Sequence, residues 1–105
     1  MRILLDECAP WPIYKLLPDH QCMPAQRRGW GGVKNGELLR LANREFDLFM
    51  TADQNIRFQQ KLTGYQLAVI QLSTNKWRRI LAAAALIQAA VASIRPGEFR
   101  RLEIP

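Results

Sequence analysis

Two short apolar segments of the chain each end in a carboxylate. Residues 3–5 are Ile-Leu-Leu and lead into Asp6, and residues 46–52, which are mostly apolar, lead into Asp53. Neither segment alternates between apolar and polar residues, which is typical of strands covered on both faces in a parallel sheet. Ligands of open α/β sheets bind beyond the carboxyl ends of the strands. We therefore expect Asp6 and Asp53 to meet at one edge of the sheet.

The rest of the pattern alternates between strands and helices. Apolar runs bounded by turn residues predict strands at residues 2–5, 20–26, 47–51, 66–72 and 99–104. The last of these alternates apolar and charged residues, as an exposed edge strand does. Helices are predicted at residues 10–17, from residue 35 to the third strand, at 54–61 and at 76–94. This order predicts a single α/β domain over residues 1–105, a three-layer sandwich with right-handed crossovers and a mostly parallel sheet.

Two of the predicted helices carry an apolar stripe that suits packing on a sheet. Asn35 is the predicted N-cap of the first, and Glu37 lies in its first turn, where an acidic side chain suits the helix dipole. The longer helix follows Ser73, Thr74 and Asn75, which are capping residues, and its apolar positions recur at steps of four and three. Its stripe consists of Ile80, Ala84, Ile87, Val91 and Ile94.

The chain is basic, with 15 Lys and Arg against 9 Asp and Glu and a formal net charge of +6. The clustered basic residues favour a polyanion or an acidic protein as partner, although a basic surface also serves solubility alone. No apolar run is long enough to cross a bilayer and no signal sequence precedes the first strand, so we expect a cytoplasmic protein without a membrane partner. Two cysteines are too few for a disulfide framework, and the single histidine, His20, is expected in a turn.

Three acidic residues are the candidate chemistry of the chain. Asp6 and Asp53 end strands and Glu37 opens the intervening helix, so all three are expected on one rim of the sheet. Mg²⁺ or Mn²⁺ prefers such oxygen ligands, and a metal held there can activate water for attack on a phosphodiester. Each residue also has an ordinary structural role open to it, as a helix cap, a partner of the helix dipole or a turn residue. The expected supporting oxygens come from Glu7, Asn35, Thr51 and Asn55.

Three stretches of this sequence resemble a family of short bacterial PIN-like proteins that are treated as toxin components of toxin–antitoxin pairs. They are residues 1–7 (MRILLDE), residues 29–39 (GWGGVKNGELL) and residues 51–55 (TADQN), followed by Gln59 and Gln60. The resemblance spans the chain from its start to about residue 75. It implies a PIN-like fold, a metal-dependent site that hydrolyses RNA and a cognate antitoxin as protein partner.

The resemblance assigns roles to individual residues of the site. Asp6 matches the acidic residue after the first strand of the family, and Asp53 matches the acid of the Thr-x-Asp segment after the third. Related proteins tend to have an Asp where this chain has Asn35, so Glu37 either replaces that acid or the site is weaker.

Two other functional classes are compatible with the same residues. A PIN-like domain that binds without cutting would use basic and aromatic side chains for phosphates and bases. The candidates for nucleic-acid binding are Arg27, Arg28, Trp30, Lys76, Arg78 and Arg79, whereas Trp77 is expected in core packing. A receiver-like phosphoacceptor would use Asp53, but its lysine would have to be Lys76, which follows the fourth strand rather than the fifth. The stripe on the long helix is also a candidate surface for a homodimer.

Overall fold

Five short strands form one sheet in which every neighbouring pair is parallel. In the computed structural model, which describes residues 1–56 and 64–105, the strands are β1 (Arg2–Leu5), β2 (Gln21–Pro24), β3 (Leu48–Thr51), β4 (Ala68–Leu72) and β5 (Phe99–Leu102). Their order is β2-β1-β3-β4-β5. The predicted α/β class is confirmed, and the sheet is parallel throughout. The last strand lies at an edge of the sheet, as its alternating pattern predicts.

The strand order reverses direction between β1 and β3. The chain leaves β1 toward β2 on one side of the sheet and later returns to β3 on the other side. The loops after β1 and β3 therefore leave in opposite directions and open a crevice at their carboxyl ends, which is where doubly wound sheets bind their ligands. This is the position that Asp6 and Asp53 occupy.

Helices cover the sheet on both faces. One face packs against a 3₁₀ helix (Trp11–Leu16) together with α2 (Trp77–Ala82) and α3 (Ala84–Ser93), and the other face packs against α1 (Asn35–Glu45). Successive strand residues point to opposite faces. Accordingly, Leu48 and Met50 belong to one apolar core and Phe49 to the other, and all three are fully buried.

The structure corrects two predictions about helix ends. Lys34, not Asn35, is the N-cap of α1, because Asn35 lies inside the helix and its side chain contacts Asp53 instead. Thr74 does accept a hydrogen bond from the main-chain N–H of Lys76, but α2 has no side-chain cap, and Ser73 accepts the main-chain N–H of Ile104.

The predicted long helix is interrupted at Ala83. There the backbone leaves helical angles (φ −102°, ψ 22°), and the chain continues as α3 from the next residue. The interruption shifts the buried stripe by one residue, so Ala83 is buried while Ala84 is only half-buried; Ile80, Ile87, Val91 and Ile94 are buried as predicted.

Two further segments differ in extent from their predictions. The helix predicted at residues 10–17 is the shorter 3₁₀ helix, consistent with the prolines that begin it, and the second strand is confined to Gln21–Pro24. Most of the helical segment predicted at residues 54–61 lies outside the described residues, as do Gln59 and Gln60. None of the helices in residues 1–56 and 64–105 is both long and apolar enough to span a bilayer.

Candidate functional site

The candidate site is the crevice at the carboxyl ends of β1 and β3. Asp6 directly follows β1, and its main-chain N–H donates to the carbonyl of Met50 in β3 at 2.9 Å. The pairing of the two strands therefore continues into the site and fixes where the Asp6 backbone lies. Asp53 follows β3 by two residues and is half-buried, whereas Asp6 is only 9% exposed.

Thr51 connects the two aspartates. Its hydroxyl donates to Oδ2 of Asp6 at 2.7 Å and accepts the main-chain N–H of Asp53 at 3.1 Å. Thr51 is fully buried, and its hydroxyl therefore depends on these partners within the protein. One hydroxyl group thus contacts the side chain of Asp6 and the main chain of Asp53, and both residues lie at the same edge of the sheet, as expected.

Every hydrogen bond that the described residues make to these two carboxylates comes from an uncharged donor. Asp6 accepts the main-chain N–H of Glu7 at 2.9 Å and the thiol of Cys8 at 3.1 Å, in addition to Thr51. Asp53 accepts the main-chain N–H of Asn55 at 2.9 Å and the side-chain amide of Asn35 at 3.3 Å. Residues 1–56 and 64–105 provide no ion pair to either aspartate. Their negative charge is therefore not neutralised from within that part of the chain.

Glu37 is engaged elsewhere. Its carboxylate is half exposed and forms an ion pair with Arg40, three residues along α1, and this guanidinium holds the pKa of Glu37 below its ordinary value. In the part of the chain that is described, no three His, Cys, Asp or Glu side chains lie close enough together to hold a metal ion. The predicted trio of acids is therefore not assembled, and Asn35 is the α1 residue whose side chain reaches Asp53.

Cys8 also belongs to the site, which the sequence did not indicate. Its sulphur lies 3.4 Å from the Thr51 hydroxyl as well as 3.1 Å from Asp6. Burial is the main cause that raises the pKa of the Cys8 thiol above its ordinary value; the Thr51 hydroxyl opposes this rise and Asp6 adds to it. The thiol is therefore protonated at neutral pH and acts as a donor to Asp6.

A second layer of polar residues, missed by the sequence analysis, holds the loop that carries Asp53. Gln71 in β4 is 5% exposed and donates to the main-chain carbonyl of Asp53 at 3.0 Å. Gln54 donates to the main-chain carbonyls of Ala52 and Leu72. Arg101 in β5 donates to the side-chain oxygens of both glutamines, at 2.8 and 3.1 Å. The position of Asp53 therefore depends on three strands.

Several residues predicted to bind nucleic acid have partners within the protein. Arg28 forms a bidentate ion pair with Glu45, and its guanidinium lies over the ring of Trp30. Trp30 in turn packs edge-on against Phe46. Arg79 donates to the main-chain carbonyls of Ile104 and Pro105. The remaining candidates are exposed; they are Arg27, Lys76 and Arg78. Trp77 packs against the core, as expected.

The donor set at the crevice can be compared with what a divalent cation requires. Mg²⁺ is typically held by one or two carboxylates and keeps several waters, and Mn²⁺ accepts similar oxygen ligands. Asp6 and Asp53 fit such a water-rich site, and they do not by themselves form a cage of protein ligands. Comparisons of the chain with protein-family models, with curated proteins and with solved structures give no match. Any functional conclusion therefore rests on the geometry of this site.

Proposed function

We propose that this chain is a PIN-like ribonuclease that hydrolyses RNA phosphodiester bonds with the help of Mg²⁺ or Mn²⁺ held by Asp6 and Asp53. The observation that supports the proposal is the pair of aspartates at the strand-order reversal. The Thr51 hydroxyl contacts the carboxylate of Asp6 and the main-chain N–H of Asp53, and both carboxylates accept hydrogen bonds only from uncharged donors of the described residues. Such a pair attracts a cation from solution, since like charges held together repel one another without one.

The residues around the aspartates prepare the site. An ionised carboxylate has about four lone-pair positions. Glu7, Cys8 and Thr51 occupy three of those on Asp6, which fixes its orientation and leaves one free. Asn35 and Asn55 occupy two of those on Asp53. A bound Mg²⁺ or Mn²⁺ would polarise a phosphodiester oxygen and lower the pKa of a water molecule. This chemistry needs no nucleophile from Cys8 or His20.

The proposal gives Glu37 a weaker position than the aspartates. To serve as a third ligand or to orient water, its carboxylate would first have to leave Arg40. In the toxin–antitoxin setting that the family resemblance suggests, an antitoxin would cover the crevice and the protein would act in the cytoplasm. A homodimer through α2 and α3 remains compatible with this proposal.

A second candidate function is binding without catalysis. It is favoured by the ion pair of Glu37 and by the lack of a three-acid group among residues 1–56 and 64–105. A receiver-like phosphoacceptor shares the strand order seen here. However, a receiver uses a Ser or Thr after its fourth strand, and here the hydroxyl of Ser73 accepts the main-chain N–H of Ile104. A receiver also needs a lysine after its fifth strand, where this chain has Glu103 and Ile104.

The test is cleavage of a labelled single-stranded RNA in Mg²⁺, in Mn²⁺ and in EDTA. We expect metal-dependent cleavage that falls at least about 100-fold in Asp53→Asn, beyond the usual cost of losing a residue that only supports a metal ligand. Asp19→Asn, at an exposed turn, is the matched control and should retain activity. Glu37→Gln shows whether the third acid takes part. Circular dichroism confirms that each variant folds.

Each alternative has its own outcome. Cleavage that persists in EDTA, or in both Asp6→Asn and Asp53→Asn, would refute the proposal. RNA binding without any cleavage would establish the non-catalytic module. Incubation with acetyl phosphate followed by intact mass measurement would reveal a receiver by a stable adduct on Asp53.

A further inference from the structure

A cleft of about 330 Å³ opens directly beside Asp6. It is lined by Asp6, Cys8, Trp11, Pro24 and Asn75, among others. Trp11 also lines a second cleft, of about 430 Å³, whose lining includes Tyr14, Lys15 and Arg27. The two clefts share this aromatic side chain, and together they are called the path, with the candidate site at one cleft and a basic region at the other.

The aromatic part of this path is a stacked pair. The ring centres of Trp11 and Tyr14 lie 4.5 Å apart with an angle of 24° between the planes. Trp11 is half-buried against the core, whereas Tyr14 is 39% exposed, so part of the pair faces solvent. A nucleobase can stack on such a surface whatever its identity, because every base has a π-face.

The basic part of the path includes Arg27, whose side chain is held against Trp11. The Arg27 guanidinium lies 5.5 Å from the centre of the Trp11 ring, and Arg27 is exposed. A guanidinium that lies over an aromatic ring is held without hydrogen bonds, so its N–H groups remain available for a phosphate. Lys15, also exposed, lines the same cleft and adds a second positive charge.

We propose that single-stranded RNA binds along this path, with a base stacked on the Trp11–Tyr14 pair and a backbone phosphate at Arg27, so that the strand leads into the cleft at Asp6. The inference rests on the proposed function and deepens it by locating the substrate. It differs from the sequence prediction, since Arg28, Trp30 and Arg79 are held by contacts within the protein. A duplex is disfavoured because its bases are already stacked on one another.

The experiment measures binding of a short fluorescein-labelled single-stranded RNA by anisotropy in EDTA, where no metal-dependent cleavage occurs. Tyr14 and Arg27 are exposed and can be changed with little risk to the fold. We expect Tyr14→Leu to weaken binding roughly 5- to 150-fold, the loss typical of one stacked base. Tyr14→Phe keeps the ring and should retain affinity.

Arg27→Ala tests the phosphate contact through salt dependence. The slope of log K against log salt should fall in magnitude by about 0.7 for the one phosphate lost from a single strand. Arg95→Ala is the matched control, because Arg95 lines a cleft with Met1 and Asp47 at the opposite end of the sheet. It should leave the slope unchanged.

Failure of this inference is distinguishable from failure of the nuclease proposal. If Tyr14→Leu binds as tightly as Tyr14→Phe, or if duplex RNA of the same sequence binds as well, the proposed path is wrong even if metal-dependent cleavage is observed. If the wild-type protein binds no single-stranded RNA, the inference is also overturned. If binding depends on Tyr14 and Arg27 but no cleavage occurs in Mg²⁺, the path is supported and the nuclease proposal fails.

Discussion

Replacement of Thr51 by valine tests the link between the two aspartates. Valine has almost the shape of threonine, but it has no hydroxyl group. The variant therefore removes the hydrogen bond to Asp6 at 2.7 Å and the acceptor for the main-chain N–H of Asp53 at 3.1 Å while it leaves the packing of this fully buried position nearly unchanged.

The expected cost follows from these two contacts. A hydrogen bond to a charged group contributes about 1.5–3 kcal/mol, and a neutral one contributes about 0.5–1.5 kcal/mol. Allowing for the more apolar side chain of valine, we expect the free energy of unfolding to fall by about 2–4 kcal/mol. A small domain is stable by only about 5–15 kcal/mol, so the loss would be large. It corresponds to a decrease in Tm of about 10–25 °C.

Urea denaturation of the variant and of Thr51→Ser provides the measurement. Serine keeps the hydroxyl and loses one methyl group, which should cost about 1 kcal/mol. The valine variant should therefore be clearly less stable, with an unchanged dependence on urea. Equal stability of the two variants, or greater stability of Thr51→Val, would refute the role of the hydroxyl. Combination with Asp6→Ala adds a second check, since residues in direct contact should give non-additive losses.

Two further predictions concern residues around the site. Arg101→Met should lower the kcat for RNA about 10-fold or more with little change in KM, because methionine has no donor for the side-chain oxygens of Gln54 and Gln71. Glu103→Gln, which loses only the ion pair to Arg101, should retain kcat, and equal losses in both variants would argue against positioning. Burial raises the pKa of Cys22 above 9.0, so the folded protein keeps a proton that the unfolded chain loses. The protonated Cys22 thiol therefore contributes fully to the stability of the fold at a pH below the pKa of the thiol in the unfolded chain. This contribution is lost as the pH rises through the pKa of the thiol in the folded protein. Urea midpoints measured between about pH 8 and pH 10.5 should fall less for Cys22→Ser than for the wild type, and parallel curves would contradict this.

The sequence predicts the strands well because β1, β3 and β4 are local apolar runs between turn residues and β5 has its own alternating pattern. All five predicted strands are present, and the alternation at residues 99–104 correctly predicts an edge. The order of the strands in the sheet could not be predicted in this way, because it depends on which strands pair across long stretches of chain. Even so, two acids placed after non-alternating strands were enough to predict that Asp6 and Asp53 lie at one edge of the sheet.

The supporting residues could not be assigned from the sequence because their partners are distant along the chain. Arg101 contacts Gln71 across 30 positions and Gln54 across 47. One signal was nevertheless present: Gln71 is a single polar residue within the strand sequence Ala-Val-Ile-Gln-Leu. A buried amide needs hydrogen-bond partners, so such a position indicates a polar network on the neighbouring elements.

The pairing of Glu37 with Arg40 has a local cause. Arg40 follows it at a spacing of three residues, and side chains at that spacing in a helix lie on the same face. The pairing was therefore readable from the sequence, and it competes with any role of Glu37 at the crevice. Asn35 shows the reverse situation, because its short side chain suits an N-cap locally, but the fold brings it within hydrogen-bond distance of Asp53.

The distribution of ion pairs bears on what the crevice can bind. Each ion pair in residues 1–56 and 64–105 joins an arginine to a glutamate on the outside of the fold: Arg28 to Glu45, Arg40 to Glu37, Arg100 to Glu98 and Arg101 to Glu103. Asp6 and Asp53 instead receive hydrogen bonds from hydroxyl, thiol, amide and main-chain donors, which orient a carboxylate without cancelling its charge. In a chain of net charge +6, two oriented carboxylates that form no ion pair among the described residues favour a cation at the sheet's ligand crevice, and the excess of basic residues favours a polyanion as partner. On the proposed function, a metal-bound phosphodiester would combine both requirements, whereas a module that binds only through its basic surface gives no reason for one buried and one half-buried acid at the crevice.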